Sequence, residues 1–213
     1  MIPKEYHTFI KAVQDEEFPD TFDYLEFSKK DDGTYYFFAP SHHFKLSKPL
    51  MTENIVTDLK DNKKRLLSVG CGPAYLERLF VSRLGVKPAQ ITLADISDEY
   101  APDGFEFYKF DMYQDWPNLG RTFDYVIFPE SIFLDKFSYE INTNSFITRY
   151  LDQEDGLCRL LYRSLNILNP LGQIRLTSGV TNTVRDPVKE RIETEFPNVK
   201  MHSLGELTYI TKR

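Results

Sequence analysis

Ser68-Val69-Gly70-Cys71-Gly72-Pro73-Ala74-Tyr75-Leu76-Glu77 is the stretch on which the reading of this 213-residue chain turns. It is a glycine-rich turn, and its placement gives it weight. Leu66-Leu67-Ser68-Val69 is a short apolar run of strand type, and Leu76, Leu79, Phe80 and Leu84 then fall on one helical face that Gly85 closes. Strand, turn and helix in that order let the backbone turn tightly and approach a ligand with no side chain in the way. The free N–H groups at the helix start favour polar or anionic groups. The same glycines would also serve a bare strand-to-helix turn, so the surrounding elements must decide.

A nucleotide-like cofactor is the first candidate. The dinucleotide fingerprint needs glycine at its first, third and sixth positions, and counted from Gly70 the sixth is Tyr75, which would crowd a pyrophosphate. The phosphate loop ending in Gly-Lys-Ser/Thr is absent as well, so NAD and phosphate-loop readings lose ground.

Working outward, Ile91-Thr92-Leu93-Ala94 predicts a second strand ending at Asp95, and Phe105 to Phe110 a third ending at Asp111. Tyr125-Val126-Ile127-Phe128 is a continuous apolar strand, as expected when helices cover both faces of a sheet. Leu157, Leu160, Leu161, Leu165 and Leu168 recur at helical spacing, and Asn169-Pro170-Leu171-Gly172 stops that helix before a strand from Gln173 to Thr177. Pro187 to Phe196 predicts a last helix. Val199 to His202 and Leu207 to Thr211, with Gly205 between them, predict a terminal hairpin. This alternation is the signature of an α/β fold with an open parallel sheet and right-handed crossovers, whose ligands sit at the carboxyl ends of the strands.

Leu67-Ser68-Val69-Gly70-Cys71-Gly72-Pro73-Ala74 resembles the first motif of class I S-adenosylmethionine-dependent methyltransferases. The likeness runs over about residues 60 to 213 and rests on the order and spacing of several motifs. It implies a Rossmann-like, doubly wound, mostly parallel seven-stranded sheet with a C-terminal antiparallel hairpin strand. An aromatic-rich N-terminal extension, residues 1 to 60, would precede the cofactor domain at 61 to 213.

The resemblance also implies roles. Gly70, Cys71 and Gly72 would cradle S-adenosylmethionine, and Asp95, followed by Ile96, would accept from the ribose hydroxyls. Asp111 and Met112 would form the adenine site. Phe128 and Pro129 would lie beside the methionine part and the methyl group, with Glu130 as the candidate catalytic residue. Set against these roles, Asp95 also suits a turn cap, Asp111 a solvated strand-end carboxylate, and Glu130 a surface or loop residue. Three positions depart from the pattern: Ser68 stands where the family has an acid, and Ala74 and Leu171 stand where it has glycine.

Charge and composition narrow the partners. The balance of 26 Lys+Arg against 32 Asp+Glu leaves a net charge of −6, which repels phosphate backbones, so a nucleic-acid substrate is disfavoured and a small molecule favoured. The Asn-Pro-Pro-Tyr arrangement for base amines is replaced by Phe128-Pro129-Glu130-Ser131. Two cysteines and no secretory pattern in the opening residues lead to the expectation of a cytoplasmic protein. The most apolar stretch, residues 125 to 134, is broken by Pro129 and Glu130 and is too short to span a bilayer. His42-His43 lacks further ligands at metal spacing, so no metal is expected.

Residues 1 to 60, with Tyr35-Tyr36-Phe37-Phe38 and His42-His43, and residues 131 to 155 are expected to wall the site as a lid. Glu130, His42, His43, Tyr35 and Tyr36 are the candidate bases. Beside the small-molecule methyltransferase stands a second expectation, a non-catalytic protein that binds the cofactor or its demethylated product, or an interaction module with a degenerate site. Ser68 is the feature that supports it.

Overall fold

The structure, a computed structural model, describes residues 26–29, 35–38, 50, 53–60, 63–72, 74–82, 84–98, 101–129, 153–177, 182–204 and 207–213. Two short strands, β1 (Glu26–Lys29) and β2 (Tyr35–Phe38), pair antiparallel as a two-stranded sheet. Helix α1 (Glu53–Lys60) then leads into the alternating part of the chain. It consists of β3 (Leu66–Val69), α2 (Tyr75–Ser82), β4 (Ile91–Asp95), β5 (Glu106–Lys109), β6 (Phe123–Pro129), α3 (Gln153–Asn166), β7 (Leu168–Thr177), α4 (Asn182–Glu195), β8 (Val199–Leu204) and β9 (Leu207–Lys212).

The strands from β3 onward form one seven-stranded sheet in the order β5-β4-β3-β6-β7-β9-β8. Its first five strands are mutually parallel, and β9 inserts antiparallel between β7 and β8. The expected mixed sheet with its terminal antiparallel hairpin is thus present. The order reverses at β3, which lies between β4 and β6, and open sheets of this kind bind ligands outside the carboxyl ends of the strands at such a switch point.

Alternation along the strands explains the two layers. Leu67 and Val69 of β3 join Val126, Phe128, Ile174 and Leu176 under α3 and α4, which contribute Leu157, Leu161, Val188 and Ile192. Leu66, Ile91, Leu93 and Ile127 face the other way, onto Leu76 and Phe80 of α2 and Ile55 and Leu59 of α1. Leu50, Ile55 and Leu59 precede residue 61, the expected start of the cofactor domain, and are fully buried in this second layer. Phe123 lies in the first layer, whereas Tyr125 and Ile127, of the same parity, lie in the second. The register shift between Phe123 and Tyr125 accounts for the switch.

The boundaries around α3 and α4 differ from the sequence expectation. Helix α3 ends at Asn166, and Leu168 belongs to β7, where it pairs with Phe123. The chain is drawn into the sheet early because Phe123 donates its N–H to Ile167 O at 2.9 Å. Helix α4 begins at Asn182 and carries Pro187 inside it, so the proline does not mark the helix start. It removes one intrahelical donor instead. Finally, Lys212 Nζ donates to Leu165 O and Leu168 O at 3.0 Å each, an ammonium group satisfying carbonyls where α3 ends.

Candidate functional site

The loop after β3 is built by backbone bonds to its neighbour strand. Gly70 N–H and Cys71 N–H both reach Ala94 O, at 2.7 and 3.3 Å, and Ala74 N–H closes back on Cys71 O at 2.9 Å. These closures force left-handed backbone at Gly70, Gly72 and Ala74, with φ of +71°, +51° and +55°. Gly72 adopts this at little cost, while the alanine is strained by its Cβ. Helix α2 starts at once, with Arg78 N–H bonded to Ala74 O at 2.9 Å.

Asp95, at the carboxyl end of β4, ties the loops together. Its Oδ2 accepts from Gly72 N–H at 2.8 Å and its Oδ1 from Ser97 N–H at 3.2 Å, while its carbonyl accepts from Phe110 N–H at 2.9 Å. The turn-cap role and the proximity to the glycine loop therefore hold together. Ile96, 39 % exposed, stands next to it and is one of two large apolar side chains exposed among the described residues, the other being Leu171.

After β5 the chain makes a tight turn. Asp111 Oδ1 accepts from Tyr113 N–H at 2.9 Å, and Trp116 Nε1 donates to Met112 O at 2.8 Å while its ring packs at 5.3 Å from that of Phe110. Arg163 of α3 clasps this turn from outside, donating to Tyr113 O at 3.0 Å and Asp115 Oδ1 at 3.1 Å. Neither Trp116 nor Arg163 was singled out from the sequence. Trp116 follows Asp111 closely enough to be suspected, but nothing local announces a partner 50 residues away for Tyr113.

The remaining candidates fall as follows. Phe128 is fully buried in the layer under α3, and Pro129 is buried and pairs with Thr177 at the end of β6. Cys71 is buried, and burial above all, then the negative charges of Glu77 and Asp95, push its thiol well above the ordinary range. Such a thiol is no nucleophile at neutral pH. Pro73, Glu130, His42, His43 and residues 131–152 lie outside the described residues, and of Tyr35 and Tyr36 only the backbone is described. Among the described residues, no three His, Cys, Asp or Glu side chains are grouped so as to hold a metal ion. Among the same residues, no helix is long and apolar enough to cross a membrane.

Ser68, where the resemblance expects an acid, is fully buried. Its hydroxyl donates to Glu77 Oε1, from the first turn of α2, and Glu77 is fully buried too. A carboxylate therefore does stand at the Ser68 position, carried by the helix.

No family model matches the chain, and no curated protein matches its sequence significantly. Solved structures do match. A methyltransferase from Pyrococcus furiosus superposes with a TM-score of 0.54 at 17% identity, covering 99% of this chain and 98% of that one. The plantazolicin methyltransferase BpumL, solved in complex with SAH, gives 0.54 at 12% identity over 81% of this chain and 88% of that one. A putative ribosomal RNA methyltransferase from Plasmodium falciparum gives 0.52 at 14% identity over 83% of this chain and 97% of that one. With the sheet order, the loop after β3 and these likenesses in place, the chain has the fold of the class I S-adenosylmethionine-dependent methyltransferases.

Proposed function

We propose that the protein is an S-adenosylmethionine-dependent methyltransferase acting on a small molecule. The observation that carries this reading is the Gly72 to Asp95 hydrogen bond at the carboxyl ends of β3 and β4, which sets a carboxylate and a glycine backbone beside one another at the switch point of the sheet. The residues present fit a nucleoside. Gly70, Cys71 and Gly72 give backbone approach, Asp95 offers acceptor oxygens for hydroxyls, and Ile96, Asp111 and Met112 offer apolar surface and a further carboxylate for a base.

S-adenosylmethionine, when bound, supplies a methyl group on a positively charged sulfur that is open to in-line displacement. The work left to this chain is mostly positioning. Phe128 and Pro129 would flank the reacting end, and Glu130, the next residue, would take the proton of a hydroxyl or phenol substrate. The net charge of −6 favours a small molecule over nucleic acid. The N-terminal residues 1–60 are proposed as an extension that covers the site, with its last helix, α1, packed on the sheet through Ile55 and Leu59, and the protein is proposed as cytoplasmic.

The test is calorimetric titration with S-adenosylmethionine, S-adenosylhomocysteine and NAD, after checking whether any of them co-purifies. Micromolar binding of the first two, about −8 kcal/mol, with none of NAD is the expected result, and a methyl-acceptor screen then follows. Absence of binding by both sulfur nucleosides would overturn the reading. Binding without turnover on any acceptor would favour the non-catalytic alternative.

A further inference from the structure

The large sheet ends on one side at β8, which among the described residues pairs with β9 alone. An outer strand presents a row of backbone donors and acceptors to any other strand that arrives. Which donors β8 turns outward follows from one contact. Met201 N–H donates to Glu193 Oε1 of α4 at 2.9 Å, so it is not spent on β9. Direction alternates residue by residue in an antiparallel pair. Val199 and Ser203 therefore face outward with Met201, while Lys200, His202 and Leu204 pair inward.

Two of these outward donors are occupied from within the chain. Val199 N–H donates to Phe196 O at 2.8 Å, where the chain turns from α4 into β8. Glu193 covers Met201 and is itself fastened, its Oε2 accepting from Lys200 Nζ at 3.2 Å. The Met201 N–H above all, with Lys200 beside it, holds the Glu193 carboxyl below its ordinary range, so it is charged at neutral pH. A carboxylate on the edge has no donor to offer an incoming strand, and it repels the carboxylate that another copy would bring.

The strand behind this contact is suited to its own copy. Met201 is the middle one of the three outward positions. A second β8 laid antiparallel about a two-fold axis would set Met201 opposite Met201 and Val199 opposite Ser203. That pairing needs the Met201 N–H of both copies, the group that Glu193 occupies. We propose that Glu193 is an autoinhibitory plug that closes the β8 edge to pairing with β8 of a second copy of this chain. β6, β7 and β9 separate β8 from the glycine-loop strand β3, so the plug is independent of the proposed ligand site.

Sedimentation of the full chain over a range of concentrations, with no ligand added, tests this. Compared with the wild type, Glu193→Ala is expected to gain an association step that raises its mass about twofold at high concentration. Glu193→Gln, whose amide oxygen still accepts from Met201 N–H, is expected to sediment as the wild type does. Glu193→Ala/Ser203→Pro is expected to revert as well, because proline removes the outward donor of an exposed edge residue. Thermal unfolding of each variant checks folding. Wild-type sedimentation of Glu193→Ala would overturn the proposal. So would association that persists in the double variant, which would place the contact away from β8, or association of Glu193→Gln as strong as that of Glu193→Ala. A wild-type dimer that Ser203→Pro alone dissolves would overturn it too, since the plug would then not close the edge. Should Glu193→Ala fail to fold, Glu193→Asp decides. Its carboxylate, one methylene shorter, keeps the charge near Lys200 but draws back from Met201: gained association supports the proposal, and wild-type sedimentation overturns it.

Discussion

Gly72 donates its backbone N–H to Asp95 Oδ2 at 2.8 Å, which ties the loop after β3 to the end of β4. The other carboxylate oxygen of Asp95 holds Ser97 N–H, and the same side chain therefore braces two turns.

Asp95→Ala leaves two backbone donors without their acceptor, and it should lower stability by about 1–2 kcal/mol. Cofactor affinity should fall by at least about tenfold in the same variant, because the acceptors for ligand hydroxyls are gone. Urea unfolding and calorimetric titration measure the two effects. Lost stability with unchanged affinity would reduce Asp95 to a turn brace.

Ala74 and Leu171 occupy the left-handed region, at φ of +55° and +65°, at the two places where the resemblance has glycine. The backbone keeps the glycine conformation without the glycines. Ala74→Gly and Leu171→Gly should each stabilise the protein by about 0.5–1 kcal/mol, the second with little loss of packing since Leu171 is 77 % exposed. Gly172→Ala should act oppositely. Its Cβ would fall 2.7 Å from Leu168 Cγ and 2.9 Å from Asn169 O, for a loss of about 1–3 kcal/mol. Denaturant midpoints of the three variants check the signs.

Tyr125 gives a prediction in the alkaline range. It is buried, donates its hydroxyl to Asp58, and has Arg175 Cζ 5.8 Å from its ring centroid. Burial, then the hydrogen bond to Asp58 and that residue's charge, raise the phenol well above its ordinary value. In the unfolded chain a tyrosine ionises near pH 10, whereas in the folded protein this one stays neutral to higher pH. Its contribution to stability is thus fully present below about pH 10 and is lost as pH rises through the folded value. Between pH 8 and pH 11 the Tm of Tyr125→Phe should fall less steeply than that of the wild type. Parallel curves for the two proteins would contradict the assignment.

Much of the fold is legible in the chain because its signals are local. Glycines at 70 and 72 between an apolar run and a 3.6-residue pattern announce a strand-to-helix turn, and Tyr125 to Phe128 announces a strand covered on both faces. The misplaced boundaries lie where a distant element overrides the local pattern. Leu168 continues the helical spacing of α3, yet pairing with Phe123 of β6 puts it in the sheet. Pro187 looks like a helix start, yet α4 begins five residues earlier.

For the candidate site the division is similar. By itself the sequence determined the order of strands and helices, the glycine loop and the carboxylates that end β4 and β5, because periodicity and turn chemistry act between residues close along the chain. Only the tertiary structure decided which groups meet: Asp95 with Gly72, Arg163 with Tyr113, Tyr125 with Asp58, and Glu77 with Ser68. Those meetings follow from strand pairing and from helices laid on a sheet, long-range choices in which burial and hydrogen bonding across the fold outweigh what any single segment prefers.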